Sequence, residues 1–415
     1  MNIESLYSSF KSSKGVHTDT RTLQPGQLYV ALSGENFDGN AYVDAAFAKG
    51  ASHVVCSDPG KASQENVTVV ADTLKALQEL ATYHRNKLNL PIVGLTGSNG
   101  KTTTKELIIA VLSQKFQVKG TKGNLNNHIG VPLTLLSFDE QTQIGVVEMG
   151  ANHIGEIAEL CQIAQPNFGL ITNFGKAHLE GFGSLEGVKR GKSELYDYLR
   201  ANNGKAIVLS TDVEQLARSK DLERRVTPIM DLKSSQPIEF TFENETITTQ
   251  LTGSYNFNNM ELAAGVGLEF GLHAAEIGKG LSSYKPVNNR SQLIVRDSYT
   301  VIMDAYNANP TSMKAALENL ALQDGFTVAI LGDMFEMGSY AAPEHQEIVN
   351  HAEKLKINQV ILLGHHFFET QSATVQKFKT FEDFLQNPPI SSDLKATVLI
   401  KGSRGMALER VLEIL

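Results

Sequence analysis

Short apolar runs alternate along the chain with stretches whose apolar residues recur every three or four positions. In the first 87 residues the short runs cover 28–32, 53–56 and 67–70, and a helical pattern follows over 73–87. Glycine, asparagine and aspartate separate these runs, as expected where a strand gives way to a turn. This part of the chain therefore predicts a small α/β domain.

The alternation continues through the middle of the chain. Strands are predicted at 91–96, 144–148, 168–172 and 206–209, and helices up to about residue 115, over 155–164 and over 185–200. Strands that alternate with helices indicate a mostly parallel sheet with helices on both faces. We therefore expect the middle region to form an α/β domain around such a sheet.

A segment at 286–289 reads as a linker, and the alternation restarts after it. Further strands are predicted at 300–303, 327–331, 359–363 and 397–400, each followed by a helix. This pattern is typical of a second, smaller doubly wound domain. The expected fold class is therefore α/β with three domains, at residues 1–87, 88–287 and 288–415.

Composition and charge exclude several classes of protein. The chain has 415 residues, of which 37 are basic and 45 acidic, so its formal net charge is −8. An acidic chain is not expected to bind nucleic acid through a basic surface. Two cysteines, Cys56 and Cys161, are too few for a disulfide framework and favour a reducing compartment. Without a signal peptide or an apolar run of about 20 residues, we expect a cytoplasmic protein with no membrane partner.

A phosphate-binding loop is predicted where the first strand of the middle domain ends. Residues 96–103 read TGSNGKTT and lie between a predicted strand and a predicted helix. Gly97 and Gly100 let backbone N–H groups turn toward phosphate oxygens, and the helix N-terminus adds partial positive charge. Lys101 can reach the terminal phosphates, and the Thr102 hydroxyl can coordinate Mg²⁺.

Two features limit what this loop indicates by itself. Leu95 stands where the general motif has its first glycine, so an ordinary glycine turn before a capped helix is the alternative. In addition, a phosphate loop by itself does not distinguish between motor proteins, GTPases, kinases and ligases. The chain has no Asn-Lys-x-Asp tetrapeptide, the signature that reads guanine, and this favours an adenine nucleotide.

Three further residues could contribute to such a site. Glu148 ends a predicted strand, at the edge of an open sheet where ligands gather, and its carboxylate could hold Mg²⁺. His178 follows the next strand and should face the same crevice, whereas Lys192 lies on a predicted helix. Each also has an ordinary interpretation: a solvated acid at a strand end, a structural histidine and an exposed lysine.

The segments around these residues resemble the Mur ligases. Residues 96–103 are similar to the phosphate loop of that family, which also lacks the first glycine, and residues 148–153 and 173–184 resemble its next two blocks. The resemblance extends from about residue 18 to the end of the chain. It implies an N-terminal domain that binds a UDP-linked substrate, a central P-loop domain that binds ATP, and a Rossmann-like C-terminal domain.

The resemblance also implies roles for individual residues. Lys192 matches a lysine that the family carries as a carbamate formed with CO₂, and Thr102, Glu148 and His178 match the other ligands of two Mg²⁺ ions. Lys101, Glu148, His178 and Lys192 would be the catalytic residues. The ATP site would consist of Gly97, Ser98, Asn99, Gly100, Lys101, Thr102, Thr103, Asn258, Arg290 and Asp304.

Residues 304–313, DAYNANPTSM, resemble the family member that adds D-alanyl-D-alanine, as do residues 332–338 and 401–406. The implied activity is ATP-dependent joining of D-alanyl-D-alanine to UDP-N-acetylmuramoyl-tripeptide through an acyl phosphate, in peptidoglycan precursor synthesis. The enzyme is expected to be a monomer whose C-terminal domain closes on the central one. The implied substrate-binding residues are Thr20, Arg21, Asp38, Gly39, Asn124, Asn126, Asn127, Asn307, Asn309 and Arg404.

Two alternatives remain open. Another Mur-type ligase or a folylpolyglutamate synthetase is opposed by residues 306–310, YNANP. A regulatory or scaffold protein that keeps the fold without turnover should have lost at least one of the four catalytic residues, and all four are present. The sequence does not determine whether the third residue of the tripeptide is lysine or diaminopimelate.

Overall fold

Three larger sheets follow one another along the chain, and the expected α/β fold class is confirmed. The computed structural model describes residues 2–286, 289–296, 299–386, 388 and 395–415. Among the helices within these ranges, none has the length and apolar character needed to cross a lipid bilayer.

The N-terminal region is a small parallel sheet with three helices. Its elements are α1 (Ile3–Lys11), β1 (Val16–His17), β2 (Leu28–Val30), β3 (Ser33–Gly34), β4 (Phe37–Asp38), α2 (Val43–Ala48), β5 (His53–Cys56), β6 (Val67–Val69) and α3 (Thr73–Leu88). Four strands pair in the order β1-β2-β5-β6, all parallel, and β3 pairs with β4 in a hairpin. Helix α3 begins at an aspartate cap, where the Asp72 side chain accepts a hydrogen bond from the Lys75 N–H.

The central region is built on a six-stranded, fully parallel sheet in the order β12-β11-β10-β7-β9-β8. Its strands are β7 (Ile92–Thr96), β8 (Val118–Gly120), β9 (Ile144–Glu148), β10 (Phe168–Ile171), β11 (Lys205–Val208) and β12 (Glu223–Val226). A separate antiparallel sheet follows, of β13 (Asp231–Ser235), β14 (Ile238–Phe242) and β15 (Glu245–Thr248).

Helices cover both faces of the central sheet, which explains why β7 and β9 are buried along their whole length. They are α4 (Lys101–Leu112), α5 (Gly130–Leu136), α6 (Glu156–Ala164), α7 (Leu179–Phe182), α8 (Leu185–Ala201), α9 (Val213–Arg218), α10 (Ser254–Glu269) and α11 (Ala274–Ser283). Val93 and Leu95 share a core with α4, α10 and α11, whereas Ile92 lies in the core that α6 and α8 line.

The C-terminal region is a second doubly wound sheet, in the order β16-β17-β21-β18-β19-β20, with only β16 antiparallel. Its elements are β16 (Gln292–Val295), β17 (Tyr299–Asp304), α12 (Pro310–Ala321), β18 (Phe326–Gly332), α13 (Ala341–Lys354), β19 (Gln359–Leu363), α14 (His365–Phe368), β20 (Gln376–Phe378), α15 (Phe381–Gln386) and β21 (Ala396–Lys401).

Most predicted elements are present within one or two residues of their expected bounds, but the helix expected after the last strand is wrong. The chain there forms two short 3₁₀ segments, Arg404–Met406 and Leu408–Glu413, because Ala407 adopts a left-handed conformation (φ +47°) that interrupts a helix. The predicted boundary at residue 87 falls in the last turn of α3, and the one between 287 and 288 lies outside the described residues.

Candidate active site

The carboxyl ends of strands from the central and C-terminal sheets open into one cavity of about 610 Å³. Ligands bind at this edge of open parallel sheets. The cavity is lined by most of the residues that the sequence assigns to ATP or metal: Ser98, Asn99, Gly100, Lys101, Thr102, Thr103, Glu148, His178, Arg290 and Asp304. It is also lined by five predicted substrate residues: Asn124, Asn126, Asn127, Asn307 and Asn309.

The loop between β7 and α4 has the backbone of a phosphate-binding turn. Gly97 adopts φ +145° and lies so close to β10 that a Cβ there would be 2.0 Å from Thr172 Oγ1. Thr172 Oγ1 in turn donates to the carbonyl oxygen of Asn99 at 2.5 Å, which holds the loop against the sheet. Because α4 begins at Lys101, its unpaired N–H groups and the positive end of its dipole lie at this turn.

Lys101 is folded over the loop, and its Nζ donates to the carbonyl oxygen of Gly97 at 2.8 Å. Loss of hydration in this position lowers the pKa of Lys101. A phosphate group at the loop would supply the counter-charge that favours the ammonium form. The geometry therefore suits the terminal phosphates of a nucleotide.

Glu148, at the end of β9, is only 1% exposed and is held by two neutral donors. Its Oε2 accepts from Thr102 Oγ1 at 2.9 Å, and its Oε1 accepts from Asn126 Nδ2 at 2.8 Å. Lys105 Nζ lies 3.8 Å from Glu148 Oε2, with both side chains buried. Sequence reasoning missed Lys105, although it stands one helical turn after Lys101 and so on the same face of α4.

His178 joins the central and C-terminal regions, because its Nδ1 is hydrogen-bonded to the carboxylate of Glu336. This contact lowers the pKa of Glu336. Glu336 also lines the cavity and was not assigned from the sequence. The two residues are far apart in the chain, so only the tertiary structure reveals the pair.

Lys192 is completely buried in α8, which excludes its interpretation as an exposed lysine. Its Nζ donates to the carbonyl oxygen of Ala151 at 2.9 Å and lies 5.0 Å from the centroid of the Phe182 ring. Burial, together with the positive charge of Lys101, holds the pKa of Lys192 well below its ordinary value. Lys192 does not line the cavity itself.

The C-terminal region contributes a second group of polar residues. Asp304 Oδ2 accepts from Lys401 Nζ at 2.5 Å, and Asp304 Oδ1 accepts from the Ser291 N–H at 3.2 Å. The guanidinium carbon of Arg290 lies 3.5 Å from the centroid of the Tyr306 ring. Lys401 and Tyr306 line the cavity but were not among the residues predicted from the sequence.

The C-terminal region packs directly against the phosphate loop. Asn309 Nδ2 donates to Asn99 Oδ1 at 2.6 Å, and the Lys176 N–H donates to Thr311 Oγ1 at 3.0 Å. Asn309 also caps α12 by accepting from the Ser312 N–H at 3.0 Å. A change in the conformation of the loop can therefore be transmitted to α12 through the hydrogen bond between Asn309 and Asn99.

One residue that the sequence assigns to the nucleotide lies away from the cavity. Asn258 is exposed on α10 and does not line the cavity, whereas Asn256 and Asn259 are buried and do. Successive residues point about 100° apart around a helix, so a shift of one position exchanges an inward side chain for an outward one. Asn259 Nδ2 donates to Asn256 Oδ1 at 3.1 Å, so the two asparagines that face the cavity are hydrogen-bonded to each other.

Several other predicted residues do not line this cavity: Gly97, Thr20, Arg21, Asp38, Gly39 and Arg404. Gly97 acts instead through the shape of the loop. In the N-terminal region Arg21 pairs with Asp19 at 2.7 Å, and Asp38 accepts from Ser33 Oγ at 2.8 Å. A substrate that reaches both these residues and the phosphate loop must extend across two regions of the molecule.

Comparison with known proteins agrees with this architecture. Three family models match: the Mur ligase family catalytic domain at residues 12–85, the Mur ligase middle domain at 95–267 and the Mur ligase glutamate ligase domain at 289–404. The UDP-N-acetylmuramoyl-tripeptide–D-alanyl-D-alanine ligases of Bacillus subtilis and Escherichia coli are each 36% identical over 96% of this chain, which covers 92% and 93% of their lengths.

Solved structures agree as well. MurF from Acinetobacter baumannii is 30% identical, with a TM-score of 0.86 over 100% of this chain and 98% of its own. MurF ligase from Thermotoga maritima in complex with ADP is 25% identical, with a TM-score of 0.85 over 98% of this chain and 97% of its own.

The fold and the cavity define an ATP-binding ligase with a phosphate loop in its central parallel sheet. Matched along nearly its whole length, the chain belongs to the Mur ligase family.

Proposed function

We propose that this enzyme uses ATP to join D-alanyl-D-alanine to UDP-N-acetylmuramoyl-tripeptide. The observation that carries the proposal is the 36% identity, over 96% of the chain, to ligases that are named for this reaction. The cavity supports it, because phosphate-binding and carboxylate-bearing residues from two regions converge there. We assign the UDP-linked substrate to residues 1–87, ATP to 88–287 and closure over the nucleotide to 288–415.

Amide formation requires activation of a carboxylate. The terminal carboxylate of the tripeptide attacks the γ-phosphorus of ATP, and the bond to the β,γ-bridging oxygen breaks, which gives an acyl phosphate and ADP. The free amine of D-alanyl-D-alanine then attacks the acyl carbon. The tetrahedral intermediate releases inorganic phosphate, and the amine loses a proton as the amide forms. No side chain of the enzyme has to act as a covalent nucleophile.

The first step brings a carboxylate close to a triphosphate, and the charges repel. Two unit charges about 4 Å apart interact by about 4 kcal/mol at an effective dielectric constant of about 20. Lys101 and the N-terminus of α4 lie where they offset this repulsion, and Arg290 lines the same cavity. Their role is to hold the phosphates and to stabilise the charge that spreads in the transition state.

Glu148 at the end of β9 and Thr102 in the first turn of α4 fit a Mg²⁺ ion. The side-chain oxygens of Thr102 and Glu148 are hard donors 2.9 Å apart beside the phosphate loop. When bound, Mg²⁺ neutralises part of the phosphate charge. We propose Thr102 and Glu148 for one ion, and Glu148, His178 and a carbamate of Lys192 for a second. Asn126 and Lys105 orient the Glu148 carboxylate.

The carbamate is proposed from the resemblance to the family and from the environment of Lys192. Its Nζ is buried with a backbone carbonyl and an aromatic ring as neighbours. The neutral amine adds CO₂ and loses one proton, and the product is an anion that can bind a cation. Ligation by the unmodified protein should fall in CO₂-depleted buffer and recover with bicarbonate, and Lys192→Arg should be inactive in both. Unchanged ligation by Lys192→Ala without CO₂ would contradict the proposal.

We assign the binding of the substrates to the remaining predicted residues. Thr20, Arg21, Asp38 and Gly39 are proposed for the UDP part, and Asn124, Asn126 and Asn127 for the peptide. Asn307, Asn309 and Arg404 are proposed for the face of the C-terminal region on which the dipeptide is held. We further propose that the enzyme works as a monomer in the cytoplasm, where its nucleotide-linked substrate is made.

The decisive experiment is mass spectrometry of the product. The enzyme is supplied with ATP, Mg²⁺, D-alanyl-D-alanine and a UDP-N-acetylmuramoyl-tripeptide that ends in lysine or in diaminopimelate. We expect a product that is heavier by the dipeptide less one water, with one phosphate released per product. Parallel reactions contain L-glutamate instead of the dipeptide. Faster phosphate release with glutamate, or no product with either tripeptide, would overturn the proposal.

A further inference from the structure

Tyr306 lies between β17 and α12 and lines the cavity with a half-buried ring. The guanidinium carbon of Arg290 is 3.5 Å from the ring centroid, and that of Arg404 is 5.8 Å away. At the shorter distance the guanidinium lies over the ring, which is the geometry of a cation–π pair. Tyr306 is therefore the residue against which Arg290 rests.

Whether a guanidinium has an aromatic or an acidic partner decides whether its N–H donors can bind another anion. The five N–H donors of a guanidinium lie in its plane, whereas contact with an aromatic ring uses its face. Within the described part of the chain, Arg290 makes no ion pair and no hydrogen bond, and the Tyr306 ring is its aromatic partner. Arg404, in contrast, is paired with Glu409 at 3.3 Å. An acidic partner would occupy such donors and cancel the charge, and an aromatic partner does neither.

We propose that Tyr306 is a positioning residue whose ring holds Arg290 in the cavity with its N–H donors free for the phosphates of the nucleotide. The inference rests on the proposed function for one point, the identity of the bound anion as ATP. Only the aromatic face is required, since the Tyr306 hydroxyl makes no hydrogen bond within the described part of the chain. The longer distance to Arg404 makes the effect on that residue smaller.

The test compares Tyr306→Leu, which removes the ring, with Tyr306→Phe, which keeps it. Binding of ADP in the presence of Mg²⁺ is measured by calorimetry on the full-length protein. For Tyr306→Leu we expect Kd to rise about tenfold, an effect between those of an exposed and of a fully desolvated cation–π pair. For Tyr306→Phe we expect Kd to stay within about twofold of the value for the unmodified protein. A change of this size is smaller than the loss of a cation–π pair would cause. Tyr306→Met replaces Tyr306→Leu if the latter is unstable.

Two further variants test whether the ring acts through Arg290. In Arg290→Met the partner is absent, so adding Tyr306→Leu should have no further effect on Kd. Phe368→Leu is a matched control, because Lys377 Nζ lies 6.0 Å from that ring, outside the cavity. This control is expected to bind ADP with unchanged affinity. Melting temperatures of all variants show whether each is folded.

Three results would overturn the inference. These are a Kd for Tyr306→Leu equal to that of the unmodified protein, an equal loss in Tyr306→Phe, and independent effects of Tyr306→Leu and Arg290→Met. Kinetics give a second measure, because KM for ATP should rise more than KM for D-alanyl-D-alanine. Since ADP binding does not depend on ligation, failure of the proposed function leaves the binding test valid, and the two failures can be told apart.

Discussion

Replacement of Gly97 by alanine tests the phosphate loop most directly. The new Cβ would lie 2.0 Å from Thr172 Oγ1 and 2.9 Å from Thr172 N, at a backbone φ of +145°. A non-glycine residue at positive φ costs about 1–2 kcal/mol, and overpacking of this kind costs about 1–3 kcal/mol. The folded loop is therefore destabilised by about 2–5 kcal/mol, and the chain can reduce this only by moving the loop away from Thr172.

Such a movement should weaken nucleotide binding in addition to lowering the folding stability. The Thr172 hydroxyl holds the carbonyl of Asn99 at 2.5 Å, so a shift of Gly97 misaligns the N–H groups that face the phosphates. Each lost hydrogen bond to a charged group is worth about 1.5–3 kcal/mol, so a single loss weakens ADP binding by a factor of about 10–150. Calorimetry with ADP and thermal melting measure the two effects separately.

Gly325 provides the matched control. It has φ +82° and no atom within 4 Å of an added Cβ, so Gly325→Ala carries the conformational penalty without the clash. We expect a lower melting temperature with unchanged ADP affinity. The explanation is wrong if Gly97→Ala binds ADP as tightly as the unmodified protein, or if Gly325→Ala loses as much affinity.

Three further changes follow from buried polar residues. Asn259→Ala should weaken ADP binding severalfold, measured by calorimetry, because its amide lines the cavity, whereas Asn258→Ala should have no effect. Glu148→Gln should abolish phosphate release and also lower the free energy of unfolding by about 3 kcal/mol, since buried Lys105 is left without its carboxylate. Burial raises the pKa of Glu261 to about 7. Relative to the unmodified protein, Glu261→Gln should therefore gain about 2–3 kcal/mol of stability as the pH rises from 5 to 8, measured by urea denaturation.

Each of these predictions has a control. Equal affinities in Asn258→Ala and Asn259→Ala would contradict the assignment on α10. Adding Lys105→Met to Glu148→Gln should restore part of the stability but no activity. The pKa of Glu261 is higher in the folded state than in the unfolded state. The stability that this residue contributes is therefore fully present below the unfolded-state pKa and is lost as the pH rises through 7. A stability difference that does not change with pH would refute the role of its ionisation.

The sequence was sufficient for features that depend on neighbouring residues. The strands at 144–148 and 359–363 have the bounds that their apolar runs predict. The phosphate loop could be predicted because its glycines, lysine and threonine are close together in the sequence and lie between a strand and a helix. The antiparallel sheet from Asp231 to Thr248 was not predicted, since its strands do not follow the alternation of strand and helix.

Tertiary structure decided the remaining features of the site. The pairs His178–Glu336, Arg290–Tyr306 and Asp304–Lys401 form only where the C-terminal region meets the central one or folds back on itself. Burial of Lys192 and the inward direction of Asn259 depend on what each helix packs against. A short stretch of sequence determines its own strand, helix or turn, because those hydrogen bonds are local. Distant side chains meet only where the packing of whole sheets and helices puts them, and no local pattern encodes that distance.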